Sequence, residues 1–181
     1  MKHLLLVMLT AAAVVAAQRG ADSVPATGGS ISITPIAHST VHVESGSTVI
    51  LVDPTVYGGW DSPHPGGVVP QIDYTGLKPT TSILVTDIHG DHYDTVAWAK
   101  VKTATTKVLV PNIPGWSYPP GVIMLANGRS QAVDGVTIEA VAMYNLSRGP
   151  KPGAFFHAKG RGNGYVVTLG GKRLYFSGDA G

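Results

Sequence analysis

Apolar residues in this chain fall in short runs of strand length, and a single stretch has a helical pattern. Segments 31–37 (ISITPIA), 40–45 (TVHVES) and 48–54 (TVILVDP) read as strands, with Ser45-Gly46-Ser47 as a hairpin turn between the last two. Segment 82–86 (SILVT) is continuously apolar, which predicts a strand covered on both faces. Segments 107–111, 121–126, 136–144, 164–170 and 172–178 complete a strand-dominated series, with turns expected at Asn127-Gly128, Asp134-Gly135 and Gly170-Gly171. The helix is expected over 93–102, with Asp94 as its N-cap. Between the third strand and SILVT lies a Gly/Pro-rich stretch, 55–80, in which no regular element fits; a loop of that length is more often functional than idle. The pattern is one of a mainly β, α+β domain whose sheet is covered by other layers.

Composition sharpens this without changing it. The chain has 181 residues, 44% hydrophobic, enough for one globular domain. The formal charge of +2 gives no electrostatic case for nucleic acid or an anionic membrane, so a small-molecule substrate is the expected partner. Residues 1–17 have a basic start at Lys2, an apolar run from Leu4 to Ala17 that is too short to span a bilayer, and small residues at its end. This is expected to be a signal peptide, which directs the chain to the periplasm or the exterior and leaves no membrane anchor after cleavage. Residues 18–30 read as a flexible lead-in and 31–181 as the domain. There is no cysteine, so any metal site must be built from histidine and carboxylate.

One stretch concentrates the chemistry. VTDIHGDHYD, 85–94, carries Asp87, His89, Asp91 and His92 within six residues after an apolar strand. If extended, Asp87, His89 and Asp91 would share one side of the chain. Carboxylates so close repel unless a cation lies between them, and an imidazole-carboxylate set without thiols suits Zn, with Mn or Fe as alternatives.

The motif Asp87-Ile-His89-Gly-Asp91-His92 resembles the H-x-H-x-D-H signature of the metallo-β-lactamase-fold hydrolases, in particular the lactonase-like branch related to ascorbate-phosphate lactonase. Supporting stretches are ILVDP with Asp53, AHSTVHVESG with His38, AMYN with Asn145, and FFHAKGRGNGYVVTLGGKRLYFSGD ending in Asp179. The resemblance implies an αβ/βα sandwich with two divalent ions. Asp87 and His89 would hold one ion, with a further ligand near Asn145; Asp91 and His92 would hold the other, with Asp179 bridging. It implies hydrolysis of an ester, lactone, amide or phosphoester by a metal-bound hydroxide that Asp91 orients.

There are three departures from the family pattern. Asp87 stands where the signature has histidine, which favours harder ions. Asn145 stands where many relatives carry histidine, leaving it as a weak ligand or His157 as the residue that reaches in. The chain is also expected to be mainly the N-terminal β-rich half of the fold, with self-association through an exposed apolar face. The alternative reading is an inactive half-fold or a metal- or ligand-binding module that works through association. His38 and Asp53 are expected either to orient a ligand from behind or to be ordinary turn residues. Tyr57, Trp60 and His64 line a pocket or pack the long loop. Lys159 to Gly164 (KGRGNG) lacks the G-K-[ST] ending of a nucleotide loop, and its basic residues suit an anionic substrate group instead.

Overall fold

The computed structural model describes residues 20–57 and 71–180. The expected signal peptide, and Trp60 and His64, lie outside the described residues. Among the described residues, two sheets and one helix form three layers. The larger sheet runs in the order β1 (Asp22–Ala26), β2 (Gly29–Ala37), β3 (Thr40–Ser45), β4 (Thr48–Val52), β5 (Ser82–Leu84), β6 (Lys107–Pro111), β7 (Val122–Leu125). Its first four strands are antiparallel and β4 to β7 are parallel. The smaller sheet is antiparallel, in the order β11 (Lys172–Phe176), β10 (Gly162–Leu169), β9 (Val136–Met143), β8 (Ser130–Val133).

The continuous apolar runs are explained by period-2 alternation between two cores. Ile50, Val52, Leu84 and Leu109 face the smaller sheet, where they meet Ile138, Tyr165 and Val167. Their neighbours Leu51, Ile83, Val85, Val108 and Val110 face the other way, onto Ala97, Trp98 and Val101 of α1 (Thr95–Val101). Central strands buried on both sides have no polar face to display. The helix starts where expected: Asp94 accepts from the backbone N–H of Val96 and Ala97, and also from Val56, which ties the helix to the chain after β4.

Two elements differ from expectation. The lead-in is not irregular, because Asp22–Ala26 pairs with β2 through a turn at Thr27-Gly28, and the Thr27 N–H donates to Gly170 O at 2.8 Å. Val24 and Ala26 pack against the core, and Pro25 is tolerated because β1 is an edge strand. The second is β8, a short edge strand of mostly exposed residues that carries no apolar pattern of its own. The expected hairpins form at Gly46-Ser47, Asp134-Gly135 and Gly170-Gly171. Positive φ at both residues of the latter two pairs is what a tight hairpin turn requires. Among the described residues no helix is long and apolar enough to cross a membrane.

Candidate metal centre

The parallel strands end on one side of the larger sheet, and the chemistry-bearing residues gather there. Asp53 follows β4, residues 85–94 follow β5, Asn145 follows β9, His157 and Arg161 precede β10, Asp179 follows β11, and His38 lies in the β2–β3 turn. Loops beyond the carboxyl ends of parallel strands are where open α/β sheets form their sites.

The frame is built on Thr86, which is fully buried. Its N–H and hydroxyl donate to the two carboxylate oxygens of Asp53, at 2.7 and 2.6 Å, and its carbonyl accepts from the Asn163 N–H at 2.8 Å. The second sheet is thereby joined to the first at the site. Such close approach requires glycine: a Cβ on Gly162 would lie 2.8 Å from Thr86 O, and one on Gly178 would lie 2.8 Å from Thr86 Cβ. Tyr165 adds a buried bond from its hydroxyl to Val85 O, 2.8 Å. Asp53 itself has φ 43°, held by its N–H on Leu84 O and by Thr40 Oγ1 on its carbonyl. A left-handed non-glycine residue pinned this firmly marks a position that the site requires.

Residues 87–94 do not continue as an extended strand. The N–H groups of both His92 and Tyr93 donate to His89 O, so the chain turns tightly. The turn separates the motif into two groups. Asp87, His89, His157 and Asp179 converge in one, and His38, Asp91 and His92 in the other, each offering ligand atoms within 4.8 Å of one another. In the first group Asp87 Oδ2 lies 2.9 Å from His89 Nδ1 and 3.2 Å from His157 Nε2. Asp179 Oδ2 stands between the groups, 3.3 Å from His157 Nε2 and 3.1 Å from His92 Nε2. In the second group Asp91 Oδ2 is 3.8 Å from His92 Nε2 and 3.6 Å from His38 Nε2.

Two of these imidazoles are fixed from behind by acceptors. Asp53 Oδ2 lies 2.8 Å from His92 Nδ1, so that nitrogen carries the proton and Nε2 faces the cluster. Asn145 Oδ1 does the same for His157 Nδ1 at 3.0 Å, while its Nδ2 donates to Asp179 O. Asn145 Oδ1 is thus engaged by the backbone N–H and the ring of His157, the residue that reaches into the first cluster. His38, expected behind a ligand, lies within the second cluster, also with positive φ. Of the loop aromatics, Tyr57 is 40% exposed and forms a bridge with Gln71.

Electrostatics fits the same geometry. Burial alone pulls the His92 imidazole down, but hydrogen bonds and charge from Asp179 and Asp53 outweigh it and push it up to about 11. His92 in turn holds the Asp179 carboxyl below the usual carboxylate range. In a metal-free chain the proton on His92 stands in for a cation. Asp87 Oδ2 and His92 Nε2 are buried against members of the clusters themselves, the first against His89 and His157 and the second against Asp179. Buried carboxylate and imidazole atoms crowded together in this way are what a divalent ion would satisfy, so the residues present fit one. A cavity of about 270 Å³ opens beside the second cluster, lined by His38, Ser39, Tyr175 and Phe176 among others.

Comparison with known proteins agrees. The model of the beta-lactamase superfamily domain matches residues 32–181. The chain belongs to the beta-lactamase superfamily. Among its superfamily relatives, a UPF0173 metal-dependent hydrolase from Brucella canis is 32% identical over 155 residues, 82% of this chain and 62% of the relative. One from Pyrococcus abyssi is 29% identical over 152 residues, 82% of this chain and 61% of the relative. The chain thus spans about three fifths of the length of these curated relatives. A solved Parabacteroides distasonis structure, named for metal-dependent hydrolysis, superposes with a TM-score of 0.68 at 28% identity, over 88% of this chain and 66% of that one. The diiron β-hydroxylase CmlA from Streptomyces venezuelae shares the fold alone, with a TM-score of 0.59 at 18% identity, over 85% of this chain and 30% of that one. The metallo-β-lactamase fold therefore stands, and the sheet-rich portion of that fold is the part described.

Proposed function

We propose that this chain carries the metal centre of a hydrolase acting on an ester, lactone, amide or phosphoester, with two divalent ions, Zn first and Mn or Fe as alternatives. The observation that carries the reading is the convergence of two buried atoms, Asp87 Oδ2 and His92 Nε2, on further carboxylate and imidazole atoms, one in each cluster. Asp87, His89 and His157 would hold one ion, His38, Asp91 and His92 the other, and Asp179 would be shared. The ions would acidify water and polarise the scissile bond. The protein's own residues supply the rest. Asp53 and Asn145 fix the rings of His92 and His157 through Nδ1, so that Nε2 of each faces the clusters. Asp91, with 27% of its side chain exposed, is reachable by solvent and is the group to orient the attacking water and accept its proton at Oδ2. The cavity beside His38 suits the organic part of the substrate.

Export to the periplasm or exterior belongs to the same proposal and rests on the sequence of residues 1–17 alone. A second reading, a metal-binding module that works through self-association, is favoured by exposed Met124 and Tyr175 on the edge strands β7 and β11. Metal analysis and hydrolysis of nitrophenyl ester and phosphodiester substrates separate the two. The hydrolase reading expects about two equivalents of metal and turnover abolished by chelator and by Asp91→Ala. Turnover that survives metal removal would overturn it; at most one loosely held ion, no turnover and a dimer in light scattering would favour the module.

A further inference from the structure

The whole-chain charge of +2 averages two unlike parts. Between Glu139 and Asp179 the sequence has six Lys or Arg and no acidic residue, whereas the part before it has an acidic excess. Four of the six, Arg148, Lys151, Lys159 and Arg161, fall on the connection from β9 to β10, and Arg161 is engaged by Asp87. The other three are exposed and pair with no carboxylate among the described residues; Lys159 Nζ lies over the Tyr144 ring, 5.4 Å from its centroid.

The same connection carries a concentration of exposed apolar surface. Leu146, Phe155 and Phe156 are 74%, 43% and 53% exposed. They do not belong to a slack segment. The Asn145 N–H donates to His157 O at 2.9 Å, the Phe156 N–H to Arg148 O at 3.3 Å and the Ala154 N–H to Lys151 O at 3.0 Å, so the two limbs of loop 145–157 are stitched together. They touch at Gly149, where a Cβ would fall 1.7 Å from Ala154 O. Pro150 and Pro152 restrict the tip. A loop closed in this way leaves its apolar side chains in water until a partner covers them.

Charge and size decide which partner fits. Three apolar side chains fall well short of the roughly 800 Å² a side that a stable protein interface buries. Lysine is also depleted from protein interfaces, whereas here it accompanies the aromatic pair. Apolar side chains flanked by Lys and Arg, with no carboxylate among them, complement an anionic lipid surface: the apolar groups enter the boundary between headgroups and chains, and the cations meet the phosphates.

We propose that loop 145–157 docks the protein on an anionic lipid surface through Leu146, Phe155 and Phe156, with Arg148, Lys151 and Lys159 on the headgroups. The net charge gave no sign of this because opposite local charges cancel in it. His157 closes the loop and belongs to the first cluster, so docking brings that cluster close to the headgroups. The surface itself needs no metal.

The test is sedimentation of the full chain with vesicles of phosphatidylcholine, alone or mixed equally with phosphatidylglycerol, at low and high salt. Residues 1–17 are common to every protein compared, so differences between variants belong to the loop. The mixed vesicles should bind the unsubstituted chain about tenfold or more tightly than the neutral ones, and salt should close most of that gap. Lys151→Glu, at the exposed tip, should weaken binding about fivefold or more. Phe155→Ser combined with Phe156→Ser should weaken it about tenfold or more at either salt. Phe155→Trp, which places a larger aromatic at headgroup level, should bind at least as tightly, a result that misfolding cannot produce. Met124→Ser, an exposed apolar position on another element, should change nothing. Hydrogen exchange reads the loop itself: amides of 146–156 should slow when mixed vesicles are added. Equal binding to both vesicles, binding that the loop variants leave unchanged, or unaltered exchange over 146–156 would overturn the proposal. Loop-dependent dimerisation in light scattering, or salt-sensitive binding to polyglutamate in place of vesicles, would also overturn it and assign the surface to a second copy or to an acidic protein. None of these outcomes bears on metal binding, so the metal-centre reading stands or falls separately.

Discussion

The two clusters are built from the same side-chain types yet differ in how firmly each is enclosed. The first has a carboxylate, Asp87, that is wholly buried, a histidine locked by Asn145, and a guanidinium at its edge. The second has a carboxylate, Asp91, that reaches solvent, a histidine locked by Asp53, and His38 standing on a left-handed turn beside the cavity. Burial and charge compensation make the first suited to holding; exposure makes the second suited to meeting a substrate. Asp179, 35% exposed and within 3.3 Å of a histidine from each, is what makes them one centre.

The largest expected break in this comparison is Asp53→Ala. It leaves His92 Nδ1 and both Thr86 donors without their buried acceptor, so stability should fall by about 3–5 kcal/mol, measured by urea unfolding, and the second cluster should lose metal before the first. A loss under about 1 kcal/mol would mean that the frame does not depend on that carboxylate. Metal removal comes next: at a hundredfold excess over Kd the ions should contribute about 2.7 kcal/mol each, seen as a lower thermal midpoint in chelator.

In the chelated protein the pH dependence should report the second cluster. The folded His92 value of about 11 lies above the ordinary 6.5. Its contribution is therefore complete below about pH 6.5 and is lost progressively as pH rises towards 11. Asp179, held low, contributes above the ordinary 3.8 and loses that as pH falls through its folded value. Thermal midpoints that rise steadily from pH 7 to 10 without metal would contradict the His92 arrangement.

A smaller, selective effect is expected from Asn145→Ala. Freed from its acceptor, His157 should bind metal about tenfold more weakly, with the second cluster untouched, as competition with a chelating dye can read. Asp94→Ala is the control. Loss of the cap should cost about 1 kcal/mol and weaken neither cluster relative to the other, since the helix lies behind both.

Most strands, the helix with its cap, the hairpin turns and the concentration of ligand types at 87–92 were legible, because each rests on local pattern or spacing. β1 and β8 were not. The first is held by an edge pairing and a bond to Gly170 that its Gly/Ser/Pro composition does not suggest, and the second is too exposed to show alternation. Residue types alone marked the site, and its division between Asp87 with His89 and Asp91 with His92 came from the family resemblance. That Asp91 parts from Asp87 and His89 depends on the turn at His89 O, and the roles of Asn145 and His38 depend on which neighbours the two sheets bring near them. Arg161 was read as a basic residue suited to a substrate; its grip on His89 and Asp87 spans more than seventy positions and has no local signal.

Thr86 has a wider consequence. One small buried residue spaces β4, β5, β10 and the chain after β11, and it touches the candidate ligands only at His92, directly and through Asp53. Where a ligand sits and what that ligand is are separate variables. Exchange of the side chain at position 87 is therefore expected to change the metal preference while Thr86 keeps the frame in place.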